Sequence, residues 1–155
     1  MDLSPPATAG ELAALEARID GWLRAEASEN PMIDAVERGD PDQRRWYVRL
    51  LGEDKDVWTA WWTLDQRMFR YETFLMPSPE ENRATFFEHL LVRNRELTGM
   101  SLEIGEEEAV FLTGSLPVRA VTEAELDRIL GSMWAYVERI FRPALRIGFP
   151  RHFVD

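Results

Sequence analysis

The two histidines, His89 and His152, are the only imidazoles in this 155-residue chain and the first candidates for acid-base or metal chemistry. His89 lies on a predicted helix with Arg93 as its i+4 neighbour, where a helical metal site would carry a second ligand. His152 belongs to the C-terminal tail. A small hydrolase or transferase using Glu or His therefore remains an alternative function, and it requires one imidazole to meet a carboxylate in a cleft.

The other reactive side chains form no recognisable catalytic or ligand-binding pattern. Glu106 to Glu108 lie at a predicted hairpin tip but lack the alternating Asp/Asn residues and placed Gly of a calcium loop. The chain has no Gly-x-Ser-x-Gly elbow, no Gly-x-Gly-x-x-Gly and no Walker motif. It also has no Cys, which excludes thiolate nucleophiles and disulfides. We expect no catalytic residue, no metal and no cofactor.

The charge and length of the chain limit its class and its partners. The formal net charge of -10 argues against nucleic acid or an anionic membrane as a partner, because both are polyanions. No apolar run approaches the ~20 residues of a membrane helix, and the first residues do not resemble an export signal. The absence of Cys fits a reducing compartment. We expect a soluble, cytoplasmic protein of one domain.

Three helix starts carry the capping-box pattern, a hydroxyl residue followed three positions later by Glu. The pairs are Thr8 with Glu11, Ser78 with Glu81, and Thr122 with Glu125. Apolar residues at helical spacing predict helices from about Ala9 to Glu26, from Pro79 to Thr98, and from Glu123 to about Phe141. Pro143 limits the last helix, although one more turn through Leu145 can follow. We expect residues 1–8 to be a flexible N-terminal segment, residues 9–149 the domain, and residues 150–155 a C-terminal tail.

Alternating apolar and polar residues predict five strands between and after the first two helices. They run from Arg45 to Leu50, Val57 to Leu64, Met68 to Met76, Met100 to Ile104, and Ala109 to Leu116. The order α-β-β-β-α-β-β-α with short connections predicts an α+β domain with a five-stranded, mostly antiparallel sheet packed with helices. The stretch from Met32 to Val36 fits either a short edge strand or a helical turn.

Several short segments resemble the YbjN-domain family, described as bacterial sensory transduction regulators. Together they span roughly Trp22 to Phe149, and their order matters more than any one of them. The segments are Phe74 to Asn82, Leu90 to Arg95, Val110 to Pro117, Val121 to Asp127, and Ile147 to Phe149. The resemblance implies a fold similar to the small dimeric chaperones of type III secretion and a noncatalytic role. The family supplies no catalytic residues to transfer.

Trp61 is the leading candidate for a partner-binding residue. Because strand residues alternate between faces, Trp61 must point away from the face that carries Trp62. If the first two strands form a hairpin, Tyr47, Arg45 and Arg49 lie near Trp61 and form an amphipathic patch suited to a peptide or a second subunit. The alternative is that a helix or the N-terminal segment of the same chain covers Trp61.

The second helix is the candidate for self-association. It carries a wide apolar surface that includes Phe86 and Leu90, and one stripe of that surface is available to a symmetry mate if the other faces the sheet. A deeply buried helix in a monomer explains the same pattern. Asn94 interrupts the apolar stripe, and we expect its amide to bond backbone near the Leu97 to Met100 exit.

These observations predict a noncatalytic protein- or peptide-binding module with a chaperone-like or regulatory role. The expected partners are a protein or peptide client and a second copy of the chain, with which it forms a homodimer. Besides the hydrolase or transferase, a structural subunit of a larger assembly remains an alternative. Neither the client nor its pathway follows from the sequence.

Overall fold

The computed structural model describes residues 4–153, which form three α-helices and six β-strands. In chain order they are α1 (Ala9–Glu29), β1 (Ile33–Arg38), β2 (Arg45–Leu51), β3 (Val57–Leu64), β4 (Met68–Met76), α2 (Arg83–Asn94), β5 (Ser101–Ile104), β6 (Val110–Pro117) and α3 (Glu123–Gly148). Short 3-10 turns follow β5, β6 and α3. The α+β class is confirmed.

The strands of the described residues form one antiparallel sheet in the order β1-β2-β3-β4-β6-β5. The prediction of five strands is wrong by one, because β1 occupies the stretch that the sequence left open between an edge strand and a helical turn. β1 pairs with β2, with Ile33 opposite Leu50, and both side chains are buried. Burying Ile33 against β2 favours the extended conformation over an isolated helical turn.

All three helices pack on the same face of the sheet. Inward-facing strand residues and the buried faces of α1, α2 and α3 belong to one continuous core. Trp22 of α1 stacks on Trp62 of β3, with ring centroids 6.2 Å apart. Trp134 of α3 donates its indole N–H to the carbonyl oxygen of Leu51 at 2.9 Å. The fold is therefore two layers, helices on sheet, with one sheet face outside the core.

The helix starts differ in how closely they follow the capping pattern. Thr8 and Glu11 form the reciprocal box at the start of α1. The Ser78–Glu81 box is wrong, because the backbone N–H groups of Glu80 and Glu81 donate to the carbonyl of Gly148 at 2.9 and 3.0 Å. α2 consequently begins at Arg83. It also ends earlier than predicted, at Asn94.

α3 continues past Pro143 to Gly148, beyond the predicted end near Phe141. A proline inside a helix removes one backbone donor and crowds the preceding turn. The turns on either side are held by burial, since Ile140 and Ala144 lie in the core. The N-terminal cap of α3 is half formed, because Thr122 accepts from the Glu125 N–H while the Glu125 carboxylate pairs with Arg128.

The described part of the N-terminal segment contacts the rest of the domain. Ala7 is buried and donates its N–H to the carbonyl of Gln66 at 2.8 Å. Arg119 donates to the carbonyl of Pro5 at 3.0 Å. Residues 1–3 lie outside the described residues, as do residues 154–155 of the tail. The described tail forms a 3-10 turn, Pro150–Phe153.

Candidate functional site

The sheet has a face on which none of the described helices packs, and we call it the open face. It is formed by the outward residues of the six strands, all of which are partly or fully exposed. Its centre consists of six side chains on four adjacent strands, Tyr47, Trp61, Glu72, Phe74, Phe111 and Thr113. An uncovered sheet face with four aromatic rings at its centre is a surface suited to another molecule.

Trp61 and Tyr47 lie side by side on the open face, as the strand alternation predicted. They are directly opposite each other in the β2–β3 pairing, and Trp61 in turn lies opposite Glu72 of β4. Arg45 and Arg49 are on the same face. The structure thus brings together the four residues predicted to bind a partner, and their binding role stays a prediction.

The two arginines flank this pair and are each held by a neighbour. The Arg45 Nε donates to the Thr63 hydroxyl at 3.0 Å. The Arg49 guanidinium pairs with the Asp34 carboxylate at 2.6 Å. Because both partners are fixed on adjacent strands, the arginine stems lie along the sheet and extend the apolar surface around Tyr47.

A concavity of about 440 Å³ lies beside Trp61, toward β5 and β6. Phe74 and Phe111 form its aromatic wall, in an edge-to-face contact with ring centroids 5.8 Å apart. Sequence reasoning missed both residues. Alternation within β4 and β6 places each of them on the outward face, but the direct pairing of β4 with β6 across the intervening α2 was not visible in the sequence.

Lys55 lies at the edge of this aromatic wall without a carboxylate partner. Its Nζ donates to the carbonyls of Phe74 and Leu75, each at 2.8 Å. The same Nζ is 5.2 Å from the centroid of the Phe74 ring and 5.5 Å from that of Phe141. Burial lowers the pKa of Lys55 to about 8. Lys55 therefore joins the β2–β3 turn to the end of β4.

Asn94 bonds backbone as expected, but its partner lies on β5, just beyond the predicted stretch from Leu97 to Met100. Its Oδ1 accepts from the Leu102 N–H at 2.7 Å, and its Nδ2 donates to the Leu102 carbonyl at 3.3 Å. The side chain thus satisfies both backbone groups of one residue on β5, which is an edge strand. This is a structural role, since the amide fixes the end of α2 to the sheet.

Phe86 and Leu90, the residues chosen for self-association, lie inside the protomer. Phe86 is 0% exposed and Leu90 is 4% exposed, so neither offers a contact surface to a second copy. Phe86 packs against the rings of Phe87 and Phe149. The exposed apolar side chains of this helix are instead Leu91, at 68%, and Val92, at 49%. Phe86 and Leu90 therefore belong to the stripe of the helix that packs in the core, and not to a stripe available for self-association.

The histidines do not form the cleft that an enzyme would need. The His152 Nε2 lies 2.9 Å from a Glu80 carboxylate oxygen, but both side chains are more than half exposed. Among the described residues His89 forms no ion pair with a carboxylate, its Nε2 is buried without a hydrogen-bond partner, and burial lowers its pKa. Within residues 4–153, no group of three or more His, Asp or Glu side chains is arranged to hold a metal ion.

None of the helices within the described residues is both long enough and apolar enough to cross a membrane.

Two solved structures share this fold at low sequence identity. A chain of the HopA1-SchA chaperone-effector complex matches with a TM-score of 0.58 and 13% identity, over 89% of this chain and 99% of that chain. A chain of the ExoU-SpcU heterodimer from the type III secretion system of Pseudomonas aeruginosa matches with a TM-score of 0.53 and 13% identity, over 81% and 96%. The chain therefore has the fold of type III secretion chaperones.

Two curated mycobacterial proteins are similar in sequence. Rv0487 of Mycobacterium tuberculosis is 32% identical over 102 residues, which are 66% of this chain and 56% of that protein. ML2442 of Mycobacterium leprae is 30% identical over 105 residues, which are 68% of this chain and 57% of that protein. The chain thus matches somewhat more than half the length of these relatives.

The family comparison covers most of the chain. The model of the YbjN family, described as "Putative bacterial sensory transduction regulator", matches residues 16–146. That description and the chaperone fold are those of non-enzymatic proteins, in agreement with the expectation that this chain is not an enzyme. The matched range runs from α1 to near the end of α3 and includes every strand of the open face. The chain belongs to the YbjN family.

Proposed function

We propose that this protein binds a segment of another protein on the open face and acts as a chaperone-like or regulatory module. The observation that carries the proposal is that Trp61 and its aromatic neighbours are partly exposed on a sheet face that no described helix covers. Large aromatic side chains give the greatest binding energy per residue at protein interfaces, because they bury much area with few rotatable bonds.

The fold supports the same proposal. One structural neighbour comes from a chaperone-effector complex and the other from a heterodimeric complex of the type III secretion system. A shared fold does not transfer a partner. The likeness supports the proposal because both neighbours were solved bound to another protein, and the family description points to regulation.

The open face offers two kinds of contact to an extended partner segment. Tyr47, Trp61, Phe74 and Phe111 provide apolar area near the middle of the sheet. Arg49 and Glu72 lie among them and are exposed. Apolar area supplies affinity, and the charges discriminate among partners. The acidic charge of the whole chain disfavours anionic clients.

The proposal is tested by affinity capture from native lysate of the source bacterium, with quantification of captured proteins. Wild type is compared with Trp61→Ala, which removes the central ring of the open face. Leu91→Ala is the matched control, because Leu91 is an exposed apolar residue on the helix layer. We expect a specific set of proteins to be lost with Trp61→Ala and kept with Leu91→Ala.

Both variants must first show the wild-type circular dichroism spectrum and a cooperative thermal transition. Capture alone supports nothing, since any exposed apolar surface retains some proteins. If the captured sets of wild type and Trp61→Ala are identical, the open face is not the partner surface and the proposal is wrong.

We further propose that the protein is a homodimer that associates through the edge formed by α2 and β5. Asn94 bonds to Leu102 near one end of this edge, and Arg83 pairs with Glu108 near the other. The exposed apolar residues Leu91 and Ile104, at 68% and 56%, lie between these two ties. An exposed edge strand with apolar side chains beside it favours pairing with an identical edge.

Light scattering after size exclusion tests the dimer. Leu91→Glu places a charge on the proposed contact and should yield a monomer, whereas Thr85→Glu places the same charge on an exposed polar position of the same helix and should leave a dimer. A monomeric wild type at all accessible concentrations would end the dimer proposal without affecting the one for the open face.

A further inference from the structure

The concavity beside Trp61 combines aromatic walls with an acidic rim. Trp61, Phe74 and Phe111 line its apolar part, and Glu72, Glu103 and Glu106 line its polar part. We call it the acidic-aromatic pocket and define it by these six residues. Its volume of about 440 Å³ exceeds what one side chain needs, and it opens onto the open face.

The three carboxylates of this pocket have no cationic partner. None of the ion pairs within residues 4–153 includes Glu72, Glu103 or Glu106. Arg70, which shares the outward face of β4 with Glu72, pairs with Asp65 at 2.9 Å. Glu103 accepts only a long bond from the Ser101 hydroxyl, at 3.5 Å. The pocket therefore carries uncompensated negative charge.

The aromatic part of the pocket is held in shape by its neighbours. A Cβ on Gly105 would lie 2.5 Å from two carbons of the Phe111 ring, so the absence of a side chain at this position lets the ring lie against the backbone. Phe74 contacts the same ring edge-to-face. The faces of aromatic rings are electronegative and attract cations, most strongly at Trp.

We propose that the acidic-aromatic pocket binds the side chain of an arginine or lysine in the partner segment. Charge complementarity argues for this occupant, because aromatic faces and unpaired carboxylates both favour a cation, and the net charge of -10 adds to the attraction. An acidic or purely apolar segment would leave the carboxylates without a partner. The inference rests on the proposed function and adds the chemical class of the residue that anchors the segment.

Lys55 shows the same combination of groups within the protein itself. Its ammonium is held by carbonyl oxygens and by the rings of Phe74 and Phe141. Its contacts are with backbone carbonyls, so it neutralises none of the pocket carboxylates. The side of the wall toward Trp61 and Phe111 is left for a second cation.

The test uses two extended pentapeptides, Ac-Thr-Val-Arg-Val-Thr-amide and the same peptide with citrulline in place of arginine. Citrulline has nearly the shape of arginine without its charge. Binding is followed through the indole N–H resonance of Trp61, which is identified by its loss in Trp61→Phe. We expect a saturable shift with the arginine peptide and about tenfold weaker binding of the citrulline peptide, from a cation–π contact and partly exposed ion pairs.

The variant Glu72→Gln/Glu103→Gln removes two of the three charges from the pocket, and we expect its preference for the arginine peptide to fall from about tenfold to about threefold, because Glu106 and the aromatic rings still attract the cation. The matched control is Glu53→Gln/Glu88→Gln, which removes two exposed charges outside the pocket and should keep the preference. Phe111→Leu should weaken binding of the arginine peptide while the carboxylates remain. Glu72→Gln alone serves if the double variant is unstable.

Three results would overturn the inference. One is equal binding of the two peptides to wild type, and another is loss of the preference in the control variant as much as in the pocket variant. The third is equal affinity for the arginine peptide and for Nα-acetyl-arginine amide, which would mean that the pocket takes a free small cation and not a residue of a segment. Failure here, with Trp61-dependent capture intact, would leave the proposed function standing.

Discussion

Among single residues, Lys55 is the least expected feature of the structure. It lies in the polar turn between β2 and β3, between Asp54 and Asp56. It reaches the end of β4, where the register with β6 shifts between Phe74 and Met76. Such a bulge takes carbonyl groups out of the ladder, and the Lys55 ammonium satisfies two of them.

This placement predicts a pH dependence of stability. Burial lowers the pKa of Lys55 to about 8 in the folded protein, below the 10.5 of an exposed lysine. Between these values the unfolded chain holds the proton and the folded chain does not, so stability increases as pH rises through this window. Relative to Lys55→Met, wild type should gain on the order of 2 kcal/mol between pH 7.5 and pH 10.5.

Urea unfolding of both proteins at pH 7.5, 9 and 10.5 measures this difference. The other groups that titrate in this pH range are the same in both proteins, so the difference isolates Lys55. A difference in unfolding free energy that stays constant with pH would mean that Lys55 is as easily protonated in the fold as in the unfolded chain.

Residues of the open face differ in how far the sequence reveals them. Trp61 was found because it lies next to Trp62 on an alternating strand, so one of the two had to leave the core. Phe74 and Phe111 were not found, since each is an ordinary strand residue until β4 and β6 are known to be neighbours. Their contact depends on a pairing across 36 intervening positions, about which the local sequence pattern says nothing.

At the scale of elements, local signals were reliable wherever no tertiary contact competed with them. The capping box at Thr8 formed as predicted, at an exposed helix start. The same pattern at Ser78 failed, because the end of α3 offers its Gly148 carbonyl to the N–H groups of Glu80 and Glu81. Pro143 failed as a stop signal for a related reason, since core packing holds the helix on both sides of it.

Two glycines of α3, Gly131 and Gly148, give opposite predictions for substitution by alanine. A Cβ at Gly131 meets nothing within 4 Å, whereas a Cβ at Gly148 would lie 2.8 Å from the Phe86 ring and 3.0 Å from Pro79. Gly131→Ala should stabilise the protein by about 0.5–1 kcal/mol, because alanine has less conformational entropy to lose in a helix. Gly148→Ala should destabilise it by about 1–3 kcal/mol through overpacking.

Thermal and urea unfolding of the two variants beside wild type measures both effects. Gly21→Ala in the middle of α1, which also has open space around its Cβ, is the control for the helix-propensity effect. Stabilisation by Gly148→Ala would show that Phe86 moves aside without cost and that the junction between α2 and α3 is loosely packed.

For the whole molecule, the sequence predicted the α+β class and the layering of helices on a sheet, because periodicity of 3.6 and of 2 decides which elements exist. It did not predict that all helices lie on one face. A helix has one apolar stripe whether it packs above or below the sheet. Only the connections between the elements decide which face of the sheet the helix packs on. β1 was left open for a similar reason, since its burial depends on β2.

The one-sided layering predicts a large difference between adjacent tryptophans. Trp62 is 0% exposed and stacks with Trp22, so Trp62→Ala should cost about 3–5 kcal/mol of unfolding free energy. Trp61 has solvent on one side, and Trp61→Ala should cost about 1 kcal/mol, from strand propensity and the contact with Tyr47. Urea unfolding of both variants at a low and a high protein concentration measures these losses.

The concentration series separates two reasons why the prediction could fail. If Trp61→Ala costs as much as Trp62→Ala at every concentration, the same chain covers the open face, and no partner could reach it. If the cost of Trp61→Ala grows with protein concentration, a second copy covers the face, because association stabilises the folded state by mass action. A small, concentration-independent cost leaves Trp61 on a free surface, where its indole ring is available to a partner segment.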